Sequence, residues 1–333
     1  MMTKQETEQL KPFIERLEAM RIKIGDIEKR ELSESQFAKR FLQFSDSAWA
    51  SIRSGNYLAS FDSTRDKLAA ALEDIESRLP GLADAAEIAR QFQSTSLARA
   101  VISSIKRARE GVSNRRIVVV LAPTGHGKTT IGEYLRTKGA IVVEGRQAWR
   151  NAYRAFCADV ARAAGRKLAS TMPESRLEEE MLLTLSAKPR TLFIDEANTM
   201  SAKCANAIKT IVNRTECCVV IAAIPELWDR FLCGSQQEAA QLINRCQPIL
   251  RAKGITQADA KLFLHSKFAE IPHALEKVVK AANAFGGIRT VMSISESIEN
   301  VETLDQASLE AALNIERDNL AAAGLASLAK SEY

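Results

Sequence analysis

Residues 118–130 read VVVLAPTGHGKTT: a run of β-branched apolar residues that ends in small residues, a lysine and two hydroxyls. The stretch follows the phosphate-binding pattern G-x-x-x-x-G-K-[ST], with Ala122 in the place of the first glycine. Ala122 sits where the loop turns and supplies no phosphate ligand. Pro123, Thr124, Gly125, His126 and Gly127 form the loop itself. The two glycines let backbone N–H groups curl around phosphate oxygens. A helix expected over TIGEYLRTKG points its positive end at them. Lys128 can reach the β- and γ-phosphates, the Thr129 hydroxyl can ligate Mg²⁺, and Thr130 follows in the first turn. The cofactors expected are therefore ATP and Mg²⁺.

A second element adds the chemistry. TLFIDEANTM is an apolar strand ending in Asp195 and Glu196. In a parallel sheet a carboxylate at that strand end lies beside the phosphate loop. Asp195 then belongs to the Mg²⁺ shell, and Glu196 orients and polarises a water. The alternative for such a pair is a solvated strand end. The adjacent acidic residues favour hydrolysis over nucleotide storage.

The elements around these residues alternate. IVVVLA, AIVVEG, TLFIDEA and CCVVIAAI read as short strands separated by helices, which predicts an α/β domain with a parallel sheet. Past residue 255 the strands stop, and ADAKLFLHSKFAE, HALEKVVKAANAF, VMSISESIENV and SLEAALNIERD read as amphipathic helices. The organisation expected is a helical domain over 1–80, a basic linker and helix over 81–115, an ATPase core over 116–254, a helical lid over 255–320 and a tail over 321–333. Pro80 and Gly81 in LPGL mark the first boundary.

At 333 residues, 46% hydrophobic and 26% charged, the chain has the composition of a soluble globular protein. No apolar run approaches the roughly 18 residues of a membrane span, and the polar N-terminus has no apolar core of a secretion signal. A cytoplasmic location is expected, bacterial or that of a phage host, with no membrane partner. The six cysteines form no C-x-x-C pair and read as reduced, buried thiols. The net charge of +5 permits an anionic partner without requiring one.

Residues 1–80 read as short helices with brief turns. Ser33 with Gln36 makes a capping box, and Phe37 and Phe41 share a helix face. Ser45 caps a second helix whose inward residues are Ala48, Trp49 and Ile52. Two short helices and a tight turn resemble a helix-turn-helix, whose outward Ser47, Ser51, Arg53 and Ser54 could meet a DNA groove. A helical domain that binds only protein is the alternative. Acidic and basic residues nearly balance here, so any DNA reading is weak.

The phosphate loop, the Asp-Glu strand and the helices after the last strand resemble the AAA+ ATPases. The resemblance implies a polar residue at the end of the following strand that helps place the water; the matching position is Ile224, a departure from the pattern. It implies that Arg289 in FGGIRTVMSIS approaches the γ-phosphate from the lid, the alternative being a surface arginine. It also implies that Arg245 in QLINRCQPIL is a finger acting on a neighbouring subunit's ATP, again against a plain surface arginine.

A Cro-like helix-turn-helix, a basic linker and a compact core with a short lid are similar, in that order, to one group. These are the target-DNA-activating ATPases of bacteriophage Mu transposition and of Tn7-like and IS21-like elements. That resemblance implies an ATP-dependent homo-oligomer, a helical filament or ring, on double-stranded DNA with little sequence specificity. It also implies recruitment of a transposase. Arg146, Arg150 and Arg154 in EGRQAWRNAYRAF are candidate DNA contacts, with 150 and 154 expected on one helix face; a solvated face is the alternative. A nucleotide-gated transcription regulator and a helicase-loading ATPase remain open as other functions.

Overall fold

The computed structural model describes residues 4–111, 115–150, 152–169, 171–187, 190–226, 228–229, 236–298 and 304–322. The chain divides into two compact units, Met1–Gln91 and Phe92–Tyr333.

The first unit is all helical. Helices α1 (Lys4–Glu28) and α4 (Phe61–Gln91) are long, and between them lie α2 (Glu34–Phe37), a π-helical turn (Ala38–Leu42) and α3 (Asp46–Arg53). Leu10, Leu17, Ile24, Phe37, Trp49, Ile52, Leu68 and Ile75 fill its core. The capping box at Ser33 is present in both its bonds, and the Ser45 side chain accepts the Ala48 N–H at 3.2 Å. Two expectations need correction. The unit is not a string of short helices, and Pro80 and Gly81 lie inside α4 rather than at a boundary. Proline costs an interior helix about 3 kcal/mol. Here the helix has already buried Leu68, Leu72 and Ile75 upstream, and Pro80 itself is exposed. The boundary falls instead at Gln91.

The second unit carries a five-stranded sheet in the order β2-β3-β4-β1-β5, and every neighbouring pair is parallel. The strands are β1 (Ile117–Leu121), β2 (Ile141–Glu144), β3 (Thr191–Asp195), β4 (Cys218–Ala223) and β5 (Cys246–Arg251). The runs of β1, β3 and β4 are almost wholly apolar because both faces are covered. Ile117, Val119 and Leu121 pack into one cluster with Phe156, Met181 and Ile208. Val118 and Val120 point the other way, to Val101 and Ile105 of α5 (Ser96–Glu110) and to Ile131 and Leu135 of α6 (Lys128–Thr137). Helices α7 (Tyr153–Ala163), α8 (Glu174–Ser186) and α9 (Ala202–Arg214) supply the first cluster. Strand β5, which follows α10 (Gln236–Ile243), is absent from the four strands expected from sequence. It is an edge strand holding Pro248, which breaks the apolar run that marks the others.

The lid comprises α11 (Gln257–Ala260), α12 (Ala274–Ala284), α13 (Ile288–Glu296) and α14 (Gln306–Ala322) around Phe268, Val278, Val291, Ile294, Leu309 and Leu313. The helix expected across ADAKLFLHSKFAE is only α11 and a 3₁₀ turn, Ser266–Ala269. The chain between them tightens through i→i+3 bonds such as Phe263 N–H to Ala260 O, 3.0 Å. Residues 323–333 of the expected tail lie outside the described residues.

Of the six cysteines, Cys157, Cys204, Cys217 and Cys218 are buried free thiols and Cys246 is a half-buried one; Cys233 lies outside the described residues. Burial pushes Cys157, Cys217, Cys218 and Cys246 up to about 12, so they stay protonated and unreactive. Among the described residues no helix is long and apolar enough to cross a membrane.

One buried carboxylate ties the lid to the core. Asp259 accepts the Ser96 N–H of α5 at 2.6 Å, the Thr256 N–H at 3.1 Å and the Thr256 hydroxyl at 2.8 Å. Burial raises its pKa, but these bonds outweigh it and the net shift is downward. Its contribution is therefore present above the unfolded carboxyl value near ~3.9 and lost as pH falls through the lower folded value. Asp259→Ala is expected to destabilise this unit by about 1–3 kcal/mol at pH 7, with the deficit closing below pH ~4. Equal melting temperatures for parent and variant at pH 7 would contradict this.

Candidate functional site

The site lies at the C-terminal edge of the sheet, where β1, β4 and β3 stop together. Beyond β1, Ala122 N–H donates to Ala223 O of β4 at 3.2 Å. The loop then turns through Gly125 (φ 80°) and Gly127 (φ 82°) in the left-handed region that favours glycine. Gly127 starts α6, and its carbonyl accepts the Ile131 N–H at 3.0 Å. Pro123 and Thr124 are exposed, as are Thr129 and Thr130 on α6.

Lys128 is buried, and its ammonium donates to the carbonyls of Ala122 (2.7 Å) and Pro123 (2.9 Å). Burial lowers its pKa, while the charges of Glu196 and Asp195 act the other way. Thr129 Oγ1 donates to Asp195 Oδ2 at 2.7 Å. Glu196 follows with φ 47°, its N–H donating to Asp195 Oδ1 at 2.9 Å.

These groups fit a nucleotide triphosphate with Mg²⁺. A hydroxyl and a carboxylate in contact are the hard oxygen ligands Mg²⁺ takes, the rest of its shell coming from phosphate and water. Among the described residues no cluster of three or more His, Cys, Asp and Glu forms a separate metal site. Mg²⁺ bound at Thr129 and Asp195 would neutralise charge on the phosphates. The ammonium of Lys128 rests on two carbonyls that phosphate oxygens can replace.

The lid closes one side. Ile288 N–H donates to Gly125 O at 3.0 Å, turning that carbonyl toward α13. A Cβ on Gly125 would lie 1.8 Å from Gly286 O, and one on Gly287 would lie 2.6 Å from His126 Nδ1. His126 is buried, its Nδ1 lies 3.2 Å from Thr124 O, and burial lowers its pKa. Arg289 is exposed on the residue after Ile288, at the lid's contact with the loop.

Arg245 lies at the other end of the sheet. Its carbonyl accepts the N–H of Ile117, the first residue of β1, at 3.2 Å. Its guanidinium donates to Gln241 O (2.9 Å) and Asn213 Oδ1 (3.2 Å). A five-residue strand, at about 3.3 Å per residue, separates it from its own phosphate loop.

The expected DNA contacts are only partly free. Arg146 makes a two-pronged bond to Asp159 (2.6 and 2.8 Å), and Arg154 donates to the Met172 carbonyl. Arg150 ends a 3₁₀ turn (Gln147–Arg150) while Arg154 belongs to α7, so they do not share one helix face. In the first unit, Arg53 is ion-paired with Glu34 and lies 3.9 Å from Glu18, so it is held by its own domain. Ser47 is exposed 3.2 Å from the Ser45 hydroxyl, and Ser51 is half-buried.

Sequence reasoning missed Asn198, whose amide touches Glu196 and the end of β4. The only sequence signal is an amide side chain two residues past the acidic pair.

Fold and site together define a P-loop core. Residues 108–231 match the protein family described as AAA domain. The match takes in the phosphate loop, Asp195, Glu196 and all of β4; Arg245, the lid and the first unit lie beyond it. No curated protein matches the sequence. Among solved structures, that of C. elegans PCH-2 is similar at 12% identity and a TM-score of 0.39, covering 67% of this chain and 68% of that one.

The glycine contact is testable. In Gly125→Ala the new methyl meets the Gly286 carbonyl, and the left-handed φ strains the loop. The Ile288 amide is expected to exchange with deuterium at least about tenfold faster than in the parent, the loss of roughly 1.4 kcal/mol of protection. Unchanged exchange would mean that the lid does not rest on this loop.

Proposed function

We propose that the chain is an ATP-dependent, DNA-binding AAA+ ATPase that hydrolyses ATP to ADP and phosphate. In this reading it assembles as a filament on duplex DNA, selects target DNA and recruits a transposase. The observation that carries the hydrolytic part is the juxtaposition of Lys128, Thr129, Asp195 and Glu196 at one sheet edge. Lys128 binds phosphate, Thr129 and Asp195 hold the ion, and Glu196 orients the attacking water.

Assembly is supported by the place of Arg245. It stands at the edge away from its own loop, a place that suits a finger acting on a neighbour's nucleotide rather than on its own. Arg116 and Arg190 precede β1 and β3 on the same edge, and Arg109 and Arg214 end α5 and α9 there. The opposite edge carries Glu144, Asp195 and Glu196 together with Lys128 and Arg251. Arg245 on one edge and the phosphate loop on the other favour head-to-tail stacking, which closes as a ring or continues as a filament. The transposition role rests on the resemblance in module order.

Two outcomes are expected. Arg245→Ala and Glu196→Gln proteins should each lose DNA-stimulated hydrolysis and keep ATP binding. Mixed together they should regain part of it, because one interface can then hold both intact residues. No recovery at any mixing ratio would contradict a finger acting in trans. On unrelated duplexes with ATP, log affinity should fall linearly with log salt, at about −0.9 per phosphate neutralised. Tight binding to one sequence alone, independent of nucleotide and lost on deleting residues 1–91, would favour the transcription regulator.

A further inference from the structure

Glu196 is held at both ends. Its backbone sits at φ 47°, a conformation that a residue other than glycine keeps only where its surroundings impose it. The N–H bond to Asp195 Oδ1 holds the main chain there. The side chain is held by Asn198, on the 3₁₀ turn Ala197–Thr199, whose Nδ2 donates to Glu196 Oε2 at 2.6 Å. Asn198 Oδ1 in turn accepts the Ile224 N–H at 2.8 Å. These two bonds fix the amide's orientation: reversed, its NH₂ would face an N–H and its oxygen a carboxylate. Ile224 is the first residue past β4, whose whole length is buried. Its own side chain has no polar atom to offer the site.

We infer that Asn198 is the positioning residue for Glu196. Its amide fixes the carboxylate's direction against the end of β4 and supplies the polar contact that Ile224 lacks. The inference rests on the hydrolytic reading of Glu196. It predicts that the carboxylate's direction, and with it the water's, depends on the Asn198 side chain. A hydrogen bond to a charged acceptor is short and directional, which suits this role.

Asn198→Asp tests it with almost no change of shape. The new carboxylate can still accept the Ile224 N–H, but it meets Glu196 as a like charge and has no donor for it. Asp195 and Lys128 are the other charged groups around Glu196. The expected result is a fall in kcat of about ten- to hundredfold, the usual scale for losing a supporting contact, with KM for ATP within about twofold. Asn198→Gln, which keeps the amide on a longer stem, should recover part of the rate.

Glu196→Gln is the companion measurement, and thermal melting with nucleotide titration shows that each variant is folded and binds. If Glu196→Gln is inactive while Asn198→Asp keeps the parental kcat, Asn198 only ties its turn to the end of β4 and the inference fails alone. If Asn198→Asp loses rate through a raised KM for ATP at the parental kcat, and Asn198→Gln recovers nothing, a positioning role is likewise overturned. If Glu196→Gln hydrolyses ATP at the parental rate, the underlying reading of Glu196 fails instead.

Discussion

The hydrogen bond from Thr129 to Asp195 joins two loops whose strands are not neighbours. β4 lies between β1 and β3, so the hydroxyl on the first turn of α6 and the carboxylate at the end of β3 meet across its end. That contact requires the three strands to stop at one level, which the shared register provides: Leu121 pairs with Ala223, and Ile194 with Ile221. It also requires β4 to end in small side chains, Ala222 and Ala223, under the junction. Buried Val, Ile and Leu on both faces hold the strands rigid, and the polar groups inherit that rigidity.

From this junction the rest of the site follows. The left-handed glycines bring the loop back over the sheet and place Lys128 in it. The lid rests its own glycine pair on that loop, so the two backbones approach more closely than a side chain would allow. Asp259 fastens the base of the lid to α5, which packs on β1, so lid and phosphate loop share one rigid frame. Arg245 stands at the far edge of the same sheet.

Much of this was legible in the sequence because it is local. The phosphate loop and the acidic strand end are each written in a dozen consecutive residues, and the strands before them are unbroken apolar runs. The capping box at Ser33 is local in the same sense. What was not legible depends on partners far along the chain. Asn198 gains its meaning from Ile224, Arg146 is taken up by Asp159, and Arg53 is taken up by Glu34. β5 is disguised by Pro248 and by an exposed face. Pro80 makes no break, because upstream burial carries α4 through a residue that would end an isolated helix.

The central claim is that this edge binds and hydrolyses ATP with Mg²⁺. The direct measurement is phosphate release by the intact protein under MgATP, with and without duplex DNA, beside a Lys128→Ala control and a chelator control. The account requires slow release that DNA accelerates, abolished by chelation and in Lys128→Ala. Parental release from Lys128→Ala, or no nucleotide binding and no release by the parent under any of these conditions, would contradict it.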